Sequence, residues 1–135
     1  MYMWDIKAPD GWEDILSKVL FAYEKRDECI GYCLELCDDI LDIFPRGKIL
    51  SVEPEDVSDL MGVYHIPTKK WWFYHSAILL DGYVIDPWYN QIVTLENYLN
   101  NVYKPSQKLL VEIIPNENIS ELEEFIWYKG QKEQV

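Results

Sequence analysis

His75, Asp86 and a cysteine upstream of both, Cys33, are the residues of this chain whose types and order could do chemistry together. His75 and Asp86 belong to two short strand-like runs joined by Asp81-Gly82, a pair that favours a two-residue type I′ hairpin turn. Such a turn pairs Leu80 with Tyr83, which sets Ala77 opposite Asp86 and His75 opposite Trp88. Side chains alternate along a strand, so these residues share one side of the sheet. Asp86 then becomes the diagonal neighbour of His75, at about 7–8 Å between backbones and within side-chain reach. A carboxylate accepting from one ring nitrogen fixes the tautomer of an imidazole and stabilises its protonated form. Trp88, directly opposite the histidine, shields the pair from water.

The cysteine needs a different device. The free N–H groups and partial positive charge of a helix N-terminus lower a thiol pKa, and a neighbouring imidazole completes the activation. Cys33 lies in the first turn if its helix begins at Gly31; Cys29 takes that place if the helix begins at Glu28. Cys37 lies a turn deeper, and Asp38 and Asp39 beside it would raise its pKa, so it reads as core. Three cysteines stacked along one helix face are no disulfide framework. They also lack the knuckle spacing of a structural zinc site, even with His65 and His75 added. No metal and no cofactor is expected. His65, between Tyr64 and the Ile66-Pro67 pair, reads as a loop residue off the hairpin face.

The elements that must position these groups follow from the apolar periods. Asp10 with Glu13 reads as a capping box for a helix that runs to about Lys25, with Trp12, Ile15, Leu16, Val19, Leu20 and Tyr23 at helical spacing. A second helix runs from Cys29 or Gly31 to Phe44, where Pro45 stops it. Lys48–Val52 predicts a strand, Pro54–Met61 a helical turn, and Trp71–Leu80 with Tyr83–Pro87 the paired strands. Thr94 caps a short helix to Val102, and the branched residues of Gln107–Ile114 predict a third strand. Ser120 with Glu123 reads as a capping box for a last helix carrying Leu122, Phe125 and Ile126, ended by Gly130 and followed by a frayed tail. Helices first and an antiparallel sheet after them make an α+β fold, N-terminal helices packed on a small sheet, in one domain over residues 1–135.

The bulk numbers limit the partners. With 135 residues, 49% of them hydrophobic and 15% aromatic, the chain can bury a real core. Twelve basic against 24 acidic residues give a net charge of −12, which excludes binding of nucleic acid through its phosphates. Lys69-Lys70-Trp71-Trp72 therefore reads as a strand edge or substrate-side wall and not as a base-stacking platform. No apolar run is long enough for a membrane span and the N-terminus lacks a secretory pattern, so a reducing cytoplasm is expected. Asn118-Ile119-Ser120 fits a glycosylation sequon but is accounted for by helix capping.

Gly31-Tyr32-Cys33-Leu34-Glu35-Leu36, then His75, then Asp86-Pro87, resembles the papain-like and transglutaminase-like superfamily of cysteine enzymes. That pattern is a Gly-x-Cys helix start, a histidine on a following strand and an aspartate on the next. The resemblance spans roughly residues 29–90 and implies a papain-like or transglutaminase-like core. It implies Cys33 as nucleophile, His75 as general base and acid, and Asp86 as the orienting carboxylate of an acyl-transfer reaction. The substrate would be a protein or peptide, attacked at a peptide, isopeptide or glutamine side-chain amide. The backbone N–H of Cys33 would serve the oxyanion. The alternative is an acidic protein-binding or inhibitor module that keeps the fold without catalysis.

Overall fold

Two helices come first, as the apolar periods require. In a computed structural model, which describes residues 5–28, 33–56, 58–117 and 119–135, α1 (Glu13–Lys25) buries Leu16, Val19, Ala22 and Tyr23 along one face. Its N-cap is Trp12, with no side-chain hydrogen bond. The expected Asp10–Glu13 box does not form, because Gly11 turns the chain at φ +83° and leaves Asp10 two residues ahead of the cap. A 3-10 turn, Arg26–Glu28, follows. α2 (Cys33–Ile43) buries Cys33, Leu36, Cys37, Ile40 and Leu41. The positions proposed for its start, Cys29 and Gly31, lie outside the described residues.

The sheet is antiparallel and seven-stranded. It is built from β1 (Lys48–Pro54), β4 (His75–Leu80), β5 (Tyr83–Ile85), β6 (Val93–Thr94), β7 (Leu109–Pro115), β8 (Glu123–Tyr128) and β9 (Gln131–Glu133). Their spatial order is β6-β5-β4-β1-β7-β8-β9. β2 (Val63–His65) and β3 (Lys70–Trp72) form a separate hairpin. α2 packs on β4, while α3 (Leu95–Val102) buries Tyr98, Leu99 and Val102. Thr94 caps α3 as expected, accepting from the Asn97 N–H at 3.4 Å. No helix among the described residues is long and apolar enough to cross a membrane.

The hairpin that leads from His75 to Asp86 forms in the expected register, with Leu80 opposite Tyr83, Leu79 opposite Val84 and Ile78 opposite Ile85. Asp81 and Gly82 both adopt positive φ, 52° and 85°, as a type I′ turn demands. Upstream, the single strand expected over Trp71–Leu80 is two. The chain bends at Phe73 and Tyr74, so Trp72 belongs to the small hairpin and His75 opens β4.

Two further expectations fail. Pro54 ends β1, and the described residues after it up to Met61 hold bends and turns, with no helix. The last helix is absent as well: Glu123–Tyr128 is β8, and the tail pairs with it as β9, setting Ile126 opposite Glu133 and Tyr128 opposite Gln131. Phe125, Ile126, Trp127 and Tyr128 are aromatic or β-branched and suit a half-buried pleated surface better than a helix. Lys129 and Gly130, at φ 53° and 74°, make another hairpin turn, so this glycine reverses a strand and caps no helix.

Gly62 fixes the small hairpin. At φ +81°, a Cβ there would lie 1.9 Å from the Trp72 carbonyl oxygen, so the two backbones meet only without a side chain. Gly62→Ala is expected to cost about 3 kcal/mol, because a clash adds to the strained φ. Gly82→Ala, at φ +85° with open space around it, should cost only about 1 kcal/mol from strain. Urea denaturation midpoints of the two variants at equal slope measure the difference.

Candidate active site around Asp86

The site grows from one turn. Asp86 and Pro87 stand at the first two positions of a β-turn closed by the Tyr89 N–H on the Asp86 carbonyl at 2.9 Å. Both residue types favour those positions. The Asp86 side chain closes on its own backbone, with Oδ1 accepting from the Trp88 N–H at 2.9 Å. That bond fixes the carboxylate, and the second oxygen then faces inward. Arg26 braces the turn from α1's end, donating to the Pro87 carbonyl at 3.0 Å and to Asn90 Oδ1 at 2.6 Å.

Three donors from three elements converge on Oδ2. They are His65 Nε2 from β2 at 2.8 Å, His75 Nε2 from β4 at 3.0 Å, and the Tyr98 hydroxyl from α3 at 2.8 Å. The direction of the protons follows from a carboxylate that can only accept: Nε2 of His65 faces Oδ2, so His65 presents an Nε2–H to Asp86. The Trp72 indole N–H gives to Thr68 Oγ1 at 3.3 Å, and the Thr68 hydroxyl stands 2.9 Å from His65 Nδ1 and 3.3 Å from the His65 carbonyl. His75 likewise presents an Nε2–H to the carboxylate. Its Nδ1 has no hydrogen-bond partner, although it is buried. The Tyr98 hydroxyl pairs also with Tyr103 at 3.1 Å.

Aromatic rings enclose the pair. The Trp72 ring lies 4.6 Å from the His75 ring at 70°, the Trp88 ring 5.8 Å at 76°, and the His65 ring 4.4 Å. His65, His75 and Asp86 are each 0% exposed, so bulk water does not reach them. A cleft of about 470 Å³ opens outside this wall, lined in part by Arg26, Thr68, Trp88, Tyr89 and Asn90. Thr68 and Trp88 separate it from the imidazoles.

The electrostatics follow from burial. Burial alone pushes the Asp86 carboxyl up; the two imidazoles and their hydrogen bonds more than offset this and hold it well below the usual carboxylate range. Burial lowers the pKa of His65, against the pull of Asp86. His65 therefore stabilises the anion as a neutral N–H donor, not as a cation. The buried charge reaches outward too: burial first and Asp86 second push Tyr23, Tyr98 and Tyr103 up.

His65, His75 and Asp86 are also the one histidine, cysteine and carboxylate cluster of metal-binding type among the described residues, their ligand atoms lying within 4.8 Å of one another. Both Nε2 atoms, however, aim at Oδ2 itself and not at a space between the three groups. With Nε2 on an ion, His75 would carry its proton on Nδ1, where no acceptor waits, and metal-bound imidazoles almost always donate that proton. The geometry is that of a hydrogen-bonded hub.

The structure brings His75 and Asp86 together as expected. Cys33 is the first residue of the described α2 and is buried, with its thiol beside Ser76, next in sequence to His75. No hydrogen bond joins its sulfur to either imidazole. Burial pushes the thiol up, partly offset by the Ser76 N–H and hydroxyl, and Asp86 pushes it up further. The helix-start lowering expected for Cys33 is thus outweighed by desolvation. Cys37, buried as expected, is pushed well above the usual thiol range, by burial first and then by Cys33.

His65 is the main correction. It is no loop residue but the last residue of β2, fully buried on the hub. Tyr98, Tyr103 and Thr68 were not expected there either. Comparison with protein-family models, curated proteins and solved structures returned no match.

Two outcomes follow. Asp86→Asn removes the acceptor of three buried donors and is expected to cost about 3–5 kcal/mol in urea unfolding at neutral pH. His65 is neutral when folded yet protonates near 6.5 when unfolded, so the unfolded state binds the extra proton as pH falls. The melting temperature should therefore stay level above about pH 7.5 and fall between pH 7 and 5, followed by circular dichroism.

Proposed function

We propose that this protein is a thiol-dependent acyl-transfer enzyme of papain-like or transglutaminase-like organisation, acting on a peptide, isopeptide or glutamine side-chain amide. The observation that carries this reading is the state of His75. One nitrogen is tied to a buried carboxylate, while the other, Nδ1, is buried without a hydrogen-bond partner. A merely structural buried histidine would be expected to satisfy both nitrogens, as His65 does.

Cys33 is the nucleophile in this reading. Its thiol is neutral at rest, because burial holds it so, and the mechanism is general-base catalysis rather than a preformed ion pair. As sulfur attacks the amide carbonyl, the thiol proton passes to Nδ1 of His75, and Asp86 stabilises the resulting imidazolium. That proton then goes to the departing amine or ammonia as the C–N bond breaks and a thioester remains. Water, losing a proton to His75, or an amine acceptor resolves the thioester, and the proton returns to sulfur. The sulfur must leave Ser76 to reach Nδ1, so substrate binding includes a local rearrangement of α2's first turn. The 470 Å³ cleft beside Trp88 is the face by which substrate approaches.

The complete burial of His75 and Asp86 favours a second reading, a non-catalytic binding module on this fold. Alkylation with iodoacetamide near pH 7, mapped by peptide mass spectrometry, separates the two. In the enzyme reading, His75→Ala slows labelling of the active thiol at least tenfold, the scale of a lost general base. Equal rates in both proteins sink that reading and leave the binding module. Labelling concentrated on Cys29 moves the nucleophile there and keeps the mechanism.

A further inference from the structure

We propose that His65 is a positioning residue for this site: together with Tyr98 it keeps Asp86 ionised in a pocket closed to bulk solvent, and so keeps Nδ1 of His75 free to accept a proton. The proposal rests on the acyl-transfer reading for its functional consequence, but its physical core stands on the hydrogen-bond geometry.

A carboxylate with no access to water stays charged only if protein donors replace its hydration. Oδ1 of Asp86 has the Trp88 N–H; Oδ2 has His65, His75 and Tyr98. His75 keeps its Nε2–H on Oδ2 while Nδ1 takes up and releases a proton, but its ring changes charge in each cycle. The donors on Oδ2 that stay constant throughout are His65 and Tyr98. His65 is held in that role on both sides, with Nε2 2.8 Å from Oδ2 and Nδ1 2.9 Å from the Thr68 hydroxyl, which accepts from the Trp72 indole N–H. Tyr103 pairs with Tyr98 behind its hydroxyl. Two chains of side chains thus converge on one oxygen.

Remove a lasting donor and desolvation gains. Asp86 then takes up a proton, which it can only pass along a hydrogen bond. The nearest acceptor is His75 Nε2, whose own proton must sit on Nδ1 for that bond to form. The result is a neutral pair with the opposite tautomer: the carboxylic acid donates to Nε2, and Nδ1 bears a hydrogen. The base has been lost although no residue that touches substrate was changed. Of the other ionisable groups around the carboxyl, Tyr23, Cys33, Cys37, Tyr98 and Tyr103 are neutral and cannot hold the charge in their place.

The test compares His65→Phe, which keeps a ring but donates nothing, with His65→Gln, whose side-chain amide can donate to Oδ2. Nitrogen NMR of labelled histidine reads the His75 tautomer, infrared spectroscopy reads a protonated buried carboxyl, and iodoacetamide labelling reads the thiol. Wild type should show His75 with hydrogen on Nε2 and an ionised Asp86. His65→Phe should show the protonated carboxyl band, hydrogen on Nδ1 and labelling slowed about tenfold; His65→Gln should restore all three to near wild type. A folded His65→Phe protein with an ionised carboxyl and unchanged tautomer overturns the proposal. If His65→Phe does not fold, Tyr98→Phe is read by the same two spectra, with the same outcome expected and the same result overturning it. A tautomer switch without any effect on labelling upholds the role of His65 and sinks the acyl-transfer reading instead.

Discussion

A carboxylate sealed away from water is the constraint on which the rest of this structure depends. Asp86 is fully buried, and an isolated charge in such a place would cost many kcal/mol. The fold answers by bringing donors from β2, β4, α3 and the turn after β5 to its two oxygens. These elements are far apart in sequence, so the hub ties together the sheet, the small hairpin and the third helix. Loss of any one donor would be felt at the others, because they share one acceptor.

The hub also explains the company it keeps. Trp72 and Trp88 pack edge-on against the His75 ring and against each other, the second contact at 5.4 Å. These rings exclude water, which strengthens every hydrogen bond inside and makes each missing one more costly. Nδ1 of His75 has no hydrogen-bond partner in this setting, and neither do the neighbouring Ser76 hydroxyl and Trp88 indole N–H. The Gly62 turn matters for the same reason: it lets β2 approach β3 closely enough to carry His65 and Thr68 in against Trp72.

The thiol side is less settled energetically than the imidazole side. A helix start can lower a thiol pKa, but Cys33 is desolvated and lies within reach of an anion, and both effects oppose ionisation. In the proposed acyl-transfer reading, a neutral thiol requires that proton transfer to His75 accompany attack, so that the donors on Asp86 matter more to reactivity than the helix terminus does.

The α+β class, the β4–β5 hairpin and the meeting of His75 with Asp86 were legible in the chain, because each rests on local rules. Asp81-Gly82 sets the turn, strand alternation sets the facing, and Asp86-Pro87 sets the second turn. The last helix was misread for a local reason as well: Ser120 and Glu123 mimic a cap, while the aromatic run after them prefers a strand that needs β7 as its partner. His65 was not legible at all. Its neighbours in sequence suit a loop, and its partner lies 21 residues away on another element. Sequence alone set a histidine and an aspartate within side-chain reach on one face of a hairpin, because a two-residue turn fixes the register of its strands. Only the tertiary structure decided how charged, how dry and how crowded that meeting would be, because burial and shared acceptors depend on every element that packs around them.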